Sequence, residues 1–551
     1  MANCKSGKEF ARTLGYLGLL LTAAILVAAG LIWPSAALAQ GVPAPFRLTH
    51  LTVRPIMPAE LAAGRPSTLT PEELAALRQR MEENRERVQK LNSKPFAKAV
   101  NPAGDPSIAP VRIVSGKADI RAQDGLIVGR NERNRIAEFS GALSEPAAIN
   151  NRNRVYYTGN FHFEQSTDHG VTYTATTVPP GPADAPDFCC DNDVTVDPAT
   201  GTGIHVVLYV RSAGDNGVLG VQILDANDFS NIKCSYLLDS AGTADNEVQD
   251  FPKIALSKND AYISASVFGA ATAGYSRMYR IDKAELLSCA NISIGIFDQP
   301  WTIEGQRVWR PAGGAEGRMM MMWAHHIDET HMRVFKWLEA DGAPTSVVRT
   351  VSPSVFGPVD CRGGVGNFEW NGGAFPAGFT TSCAMASGID QQTPVLTCFN
   401  HSAPMTGRPQ AFLRGTVFRA SDRKLLSEPD LYSTDMCWGY PIITSNARGD
   451  IGFSLAGGGS LNGGLSAVQG YVGLRTPSGT EVSAVAGGVA NQASGRFGDY
   501  FTIHRYQGCS KFFGATAYAW DKAPVVDNQG INARWVEFGR FGDTSCWQNR
   551  Q

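Results

Sequence analysis

The chain has 551 residues with 49 basic and 51 acidic side chains, a formal charge of −2, and only 18% charged residues beside 58 glycines and 31 prolines. With no basic cluster there is no electrostatic footprint for nucleic acid or anionic lipid, so a neutral or small partner is expected, and oligomeric state is left open. Abundant Val, Thr, Tyr and Phe among so many glycines and prolines predict short strands joined by tight turns, an all-β fold.

Lys5, Lys8 and Arg12 precede an apolar run from Leu17 to Ile32, and Ala37-Leu38-Ala39 stands before Gln40. This is the pattern of a signal peptide over 1–39, cut between Ala39 and Gln40, and it predicts a secreted or periplasmic protein with no membrane segment beyond the signal. An uncleaved anchor is the other reading of the same run. Cys4 falls inside the signal, leaving Cys189, Cys190, Cys234, Cys289, Cys361, Cys383, Cys398, Cys437, Cys509 and Cys546. Their spacing shows no CxxC pairs, so disulfides are expected rather than zinc; adjacent Cys189 and Cys190 are expected to take separate partners, a strained vicinal ring being the other reading.

Residues 40–111 read as an N-terminal extension. Thr70-Pro71-Glu72-Glu73 is a helix start with an N-cap, a first-turn proline and a capping box, and a charged helix is expected over about 70–91. Asn101-Pro102-Ala103-Gly104-Asp105-Pro106 then ends it as a linker.

From residue 112 to 551 helical periodicity gives way to short apolar runs, among them Leu126–Val128, Val155–Tyr157, His205–Val210, Tyr262–Val267 and Phe512–Tyr518. One all-β unit of this length suits radial repetition better than a sandwich. A repeated start, a polar or charged cluster with Gly or Pro before a short strand, recurs at Glu145-Pro146, Asp191-Asn192-Asp193, Asp250-Phe251-Pro252, Trp309-Arg310-Pro311, Cys361-Arg362-Gly363, Trp438-Gly439-Tyr440-Pro441 and Gly498-Asp499-Tyr500. These starts lie 46 to 77 residues apart, which predicts a β-propeller of seven blades, within a range of six to eight, each of four antiparallel strands. Only three strands follow Asp499, so the run 125–129 is expected to supply the fourth and close the ring.

Between two such strands lies Ser166-Thr167-Asp168-His169-Gly170-Val171-Thr172-Tyr173, which reads Ser-x-Asp-x-Gly-x-Thr-aromatic. A short carboxylate can fold onto nearby backbone N–H groups there, glycine can take positive φ, and an aromatic can anchor the next strand. This stretch resembles an Asp-box, the turn that joins third and fourth strands of a blade, with Ser166, Asp168, Gly170, Thr172 and Tyr173 as its structural residues. With Ser144-Glu145-Pro146, Asp187-Phe188-Cys189-Cys190-Asp191, Asp250-Phe251-Pro252-Lys253-Ile254 and Arg496-Phe497-Gly498-Asp499-Tyr500, the chain is similar over about 112–545 to the sialidase-like, Asp-box (BNR-repeat) propellers of secreted bacterial proteins, whose activity is mostly unassigned. The resemblance implies fold more than chemistry. Catalytic sialidases open the propeller with an aromatic-Arg-Ile-Pro motif, whereas the nearest match here, Val111-Arg112-Ile113-Val114, lacks the aromatic and the proline.

The starts of innermost strands converge on an axial channel, so the candidate site is built from them. Asp193, Asp250, Asp360, Asp499 and Tyr500 are the candidate catalytic groups. Glu145, Arg310, Arg362, Trp438, Tyr440 and Arg496 are the candidate substrate-binding groups, with Asp191 beside them. Paired carboxylates could serve as acid and base, arginines could bind a carboxylate, and aromatics could stack on sugar faces. The acidic run Asp187, Asp191, Asp193 and Asp197 lacks the glycine and glutamate of an EF-hand, so calcium stays open without support, and no other metal or cofactor is expected. His325 and His326 are adjacent on a strand and face opposite ways, and one exposed and one buried imidazole are expected. Two readings stand: a glycan-active enzyme, either a sialidase-like glycoside hydrolase or a polysaccharide lyase, and a non-catalytic extracellular propeller that binds glycan or protein.

Overall fold

A computed structural model describes residues 47–58, 112–113, 124–135, 137, 145–160, 162–176, 181, 187–210, 217–238, 247–269, 274–304, 307–355, 381–388, 392–461, 464–488, 501–520 and 531–548. The expected signal over 1–39, the charged helix over 70–91 and the linker over 101–106 lie outside them.

The strand Gly203–Val210 shows why apolar runs in this chain are continuous rather than alternating. Ile204, Val206 and Leu208 enter one core with Leu219, Ile254 and Ile263, while Val207 and Tyr209 enter a second with Ile149, Tyr156 and Phe163. A strand with a neighbouring sheet on each face hides both its odd and its even residues. Such strands are ordered as antiparallel meanders. Ala147–Asn151, Arg154–Gly159, His162–Ser166 and Thr174–Ala175 form one, and Asp187–Val196, Gly203–Val210, Gly217–Asp225 and Asp228–Leu238 form the next. Glu247–Leu256, Asp260–Gly269, Tyr275–Asp282 and Ile292–Pro300 follow, joined to their predecessor through one parallel pairing of Gly217 with Val248.

Met320–Asp328, His331–Leu338 and Thr345–Thr350 make a three-stranded sheet, and Ala312 N–H donates to the Met322 carbonyl at its inner edge. Thr381–Ser387, Pro394–Ser402 and Phe412–Arg419 with Leu425–Ser427 come next, then Cys437–Ser445, Ile451–Leu461, Gly464–Thr476 and Gly479–Ala486. First strands pack against one another around a common axis, and the last sheet returns to the first, where Ala148 N–H donates to Thr502 Oγ1 at 2.9 Å. This is the arrangement of a β-propeller. Closure follows the expected route: Leu126–Arg133 pairs antiparallel with Arg534–Arg540, outermost in the sheet of Ile503–Arg505 and Phe513–Ala517.

Two pairings have no counterpart in the sequence reading. Arg47–Val53 adds antiparallel to Ile292–Pro300, and Arg112–Ile113 adds parallel to Gly479–Ala486, so each lengthens a sheet at its outer edge. The histidine expectation is also corrected. His325 and His326 do face opposite ways, but both are buried, because a packed sheet covers each face: His325 Nε2 meets Glu304 at 2.7 Å and His326 Nε2 meets Asn400 at 2.9 Å.

The turn from Ser166 to Tyr173 joins the strands His162–Ser166 and Thr174–Ala175. Ser166 Oγ donates to Asp168 Oδ1 at 2.7 Å and accepts from Gly170 N–H at 2.8 Å, while Thr172 donates through its N–H and hydroxyl to Asp168 at 2.9 and 2.6 Å. Gly170 has φ 85°, and a Cβ there would stand 2.9 Å from Trp535, so both conformation and space call for glycine. Disulfides join Cys234 to Cys289, Cys383 to Cys398 and Cys509 to Cys546, and Cys437 is bonded to a cysteine outside the described residues. The side chains of Cys189 and Cys190 lie outside the described residues as well. No helix among the described residues is long and apolar enough to cross a membrane.

Candidate functional site

The innermost strands share a local device. At Glu145-Pro146, Phe251-Pro252 and Tyr440-Pro441 the residue before proline takes φ of 37°, 53° and 53°. A non-glycine residue rarely adopts such a value, and proline after it restricts the backbone further, so surrounding contacts must hold it. In the latter two strands the ladder breaks there, with register shifts between Asp250 and Lys253 and between Gly439 and Ile442; a matching shift lies between Phe188 and Asn192. Each bulge bends the strand where it enters the axis and resets which side chains face the channel.

Just past the bulges the strands are tied together. Asp193 Oδ2 accepts from Ile254 N–H at 3.0 Å, Ser382 Oγ accepts from Ile443 N–H at 3.1 Å, and Thr502 Oγ1 accepts from Ala148 N–H. In all three the donor lies two residues after the start proline, Pro252, Pro441 or Pro146. These same side chains, with Lys253, Thr195, Thr444 and Arg310, line a cavity of about 60 Å³ on the axis. Lys253 is buried in it. Burial pushes the Lys253 ammonium down to about 8, the carboxylates of Asp193, Asp191 and Glu145 resist that shift, and the Arg310 guanidinium adds to it. His504, partly buried on the lining, is likewise pushed down by burial against the fields of Asp193 and Glu316.

The channel has two unlike ends. Toward the strand starts lie Glu145, Asp191, Asp250 and Arg310, all buried, and the partly exposed Tyr440. Glu145 Oε2 accepts from Asn160 Nδ2 at 2.7 Å, and Asp250 Oδ1 accepts from Phe251 N–H at 2.9 Å. Toward the strand ends Arg505 pairs with Glu316 at 3.2 Å and donates to the carbonyls of Ser445 and Gly314 at 2.8 and 3.0 Å. Glu316 of this ion pair belongs to the cavity lining.

Of the sequence candidates, Asp193 and Arg310 line the cavity itself, and Glu145 and Asp191 act on it through their charge. Trp438 is elsewhere: fully buried against Tyr471, it belongs to the core between sheets. Asp360, Arg362, Arg496, Asp499 and Tyr500 lie outside the described residues. Lys253, Thr502, His504 and Glu316 were not anticipated. Lys253 had a readable signal, since it directly follows Pro252 at a start, as Ile442, also on the cavity lining, follows Pro441. Among the described residues no cluster of His, Cys, Asp or Glu is suited to hold a metal ion.

No family model matches the chain, and no curated relative matches it. Among solved structures the chain is similar to the α-L-arabinofuranosidase Arb93A from Fusarium graminearum in complex with an iminosugar inhibitor, at 8% identity over 75% of this chain and 98% of that one, with a TM-score of 0.36. It is also similar to the polysaccharide lyase Uly1, at 9% identity over 82% and 95% of the two chains with a TM-score of 0.35. A third likeness is to the Aleuria aurantia lectin with α-methyl-L-fucoside, at 11% identity over 62% and 94% with a TM-score of 0.32. Likeness at this level does not reach individual site residues.

Proposed function

We propose that the chain is an exported seven-bladed β-propeller, its propeller domain running over about 112–551, that engages an acidic, hydroxyl-rich glycan at the axial mouth. Seven meanders or partial meanders, with first strands or edges near 147, 187, 247, 312, 381, 437 and 503, support the count. The observation that carries the functional reading is the mixed-charge set on the axis: buried Lys253 and Arg310 beside Asp193, Asp191 and Glu145. An ammonium and a guanidinium suit a sugar carboxylate, and buried carboxylates suit sugar hydroxyls. A lysine pushed down to about 8 is also able to take a proton near neutral pH, as the base of a β-elimination would.

One observation favours binding without bond cleavage. The cavity of about 60 Å³ holds a few waters and no sugar ring, so a glycan sits above it, against Glu145, Asp191, Asp250 and Tyr440. Incubation of the protein from Gln40 onward with a panel of neutral and uronate polysaccharides separates the two readings. New reducing ends alone indicate hydrolysis, and unsaturated ends indicate elimination. Retained binding with neither product leaves the binding propeller, and no binding to any member overturns the glycan assignment. Loss of the signal in Lys253→Met assigns it to the axis.

A further inference from the structure

A second polar hollow, far roomier than the axial cavity, lies off the axis. At the opposite face, where the innermost strands end, a groove of about 590 Å³ lies among the turns that follow Ala147–Asn151, Asp187–Val196, Gly217–Asp225 and Ile503–Arg505. It is about ten times the axial cavity and falls in the range of small-ligand sites. None of its thirteen lining residues carries a carboxylate, and two are arginines, Arg152 and Arg154.

Its walls are fixed by bonds that cross from sheet to sheet. Asn150 Nδ2 donates to the Gln507 carbonyl at 3.1 Å, and Gln507 N–H returns a bond to Asn150 Oδ1 at 3.1 Å. Asn151 Nδ2 donates to the Ala226 carbonyl at 2.7 Å, and Tyr506 OH donates to the Arg152 carbonyl at 3.2 Å. Gly201, with φ 73°, leaves the space that Asn151 fills, since a Cβ there would stand 2.5 Å from Asn151 Nδ2. The groove is therefore held by side-chain-to-backbone bonds that join three neighbouring sheets, so its walls are preformed.

The arginine side chains take no part in that scaffold. Arg152 sits at φ 56°, which turns its side chain out of the strand while its carbonyl stays bonded inside. Among the described residues neither guanidinium donates a hydrogen bond. The carboxylate that Arg154 influences is the exposed Asp228, already engaged by the N–H and hydroxyl of Ser230. Two guanidiniums with free donors on the rim of a preformed groove otherwise lined by amides, two hydroxyls and small residues match a ligand with an oxyanion and several hydroxyls.

We propose that this groove is a second ligand site, separate from the axial one, that takes a sulfated or uronate-bearing saccharide segment. Each oxyanion is received by Arg152 and Arg154, and the sugar hydroxyls meet Asn153, Asn227 and Gln507. The test is calorimetric titration of the protein from Gln40 onward with a sulfated hexasaccharide and its desulfated counterpart at 0.15 M salt. Arg152→Gly suits the positive φ and leaves the backbone bonds intact, and Arg154→Ala removes the second cation. Each variant is expected to weaken the sulfated probe at least tenfold with an unchanged melting temperature, and the desulfated probe is expected to bind at least tenfold more weakly than the sulfated one. Lys253→Met is expected to leave this affinity unchanged, which separates the groove from the axis. Equal affinity of both probes, unaltered binding in the Arg152→Gly/Arg154→Ala double variant, or loss of binding in Lys253→Met overturns the proposal. So does the absence of binding by the unaltered protein at millimolar probe.

Discussion

Asp193 and Ile254 belong to innermost strands of neighbouring sheets, and the Asp193 carboxylate closes the seam between them by accepting the Ile254 N–H at 3.0 Å while its other oxygen accepts Val194 N–H at 3.0 Å. The same seam is closed by a hydroxyl at Ser382–Ile443 and at Thr502–Ala148. Asp193 thus has a structural duty beside any chemical one. Removing it leaves a buried N–H without its acceptor, which costs about 1–3 kcal/mol. Asp193→Ala is expected to lose that much in urea unfolding, and Asp193→Asn, which keeps an acceptor oxygen, markedly less. Equal losses in both variants would show that charge rather than the seam is what matters.

Lys253 makes binding at the axis depend on pH. Burial favours the neutral amine and pushes its titration down to about 8, so an acidic glycan meets an ammonium below that pH and an amine above it. Affinity for a uronate oligosaccharide is expected to fall about tenfold between pH 7 and pH 9.5, and to be flat over that range in Lys253→Met. A decline of the same size in the variant would place the titrating group elsewhere.

Much of this architecture was legible because its markers are local. The polar clusters at Asp191-Asn192, Asp250-Phe251-Pro252 and Gly439-Tyr440-Pro441 coincide with bulges that bend innermost strands, and the three strands after residue 500 called for a fourth from the N-terminal side, which Leu126–Arg133 supplies. The site was less legible for the same reason. Sidedness in a strand has period two, and the shift between Gly439 and Ile442 breaks that count, so Trp438 before the bulge faces the core against Tyr471 while Ile442 after it faces the cavity. Lys253 was passed over for a comparable reason: a lysine in an otherwise apolar stretch reads as a solvated position, and only the convergence of neighbouring strands with Asp193 and Arg310 explains its burial. Arg47–Val53 lies between prolines and pairs only with a strand some 240 residues away, a contact no local pattern announces.

Two glycines in ordinary conformations separate packing from backbone effects. A Cβ on Gly415 would stand 2.0 Å from the Pro429 carbonyl oxygen and 2.8 Å from the Phe399 ring, and neither the backbone nor a buried ring has room to yield. Gly415→Ala is expected to lose about 2–3 kcal/mol. Nothing lies within 4 Å of the corresponding position on Gly342, so Gly342→Ala is expected to be neutral or to gain up to about 1 kcal/mol by restricting the unfolded chain. Thermal unfolding of the two variants side by side checks this, and similar melting temperatures would contradict it.

Glu537 sits where the ring closes. Its carboxylate, fully buried on Arg534–Arg540, accepts from Trp535 Nε1 at 3.1 Å and from Trp547 Nε1 at 2.7 Å, and Arg130 of the closing strand lies 3.5 Å away. Burial pushes its titration up to about 7, although both indole donors and Arg130 hold it back. A carboxyl raised above its unfolded value of about 4.5 stabilises the fold fully below that pH, and the contribution is lost as pH rises through about 7. The amount is on the order of 2–3 kcal/mol. Glu537→Gln keeps the shape and cannot ionise, so its stability relative to the unaltered protein is expected to rise by that amount between pH 4.5 and pH 8. The buried histidines His205, His326 and His401, pushed down to about 3, 4 and 4 by burial, act in the opposite direction, since their neutral forms favour the fold and stability is lost as pH falls below about 6.5. They are common to both proteins and cancel in the difference. Urea unfolding of the pair at pH 5 and pH 8 reads the difference directly, and a gap that stays constant with pH would mean that Glu537 remains ionised where the ring closes.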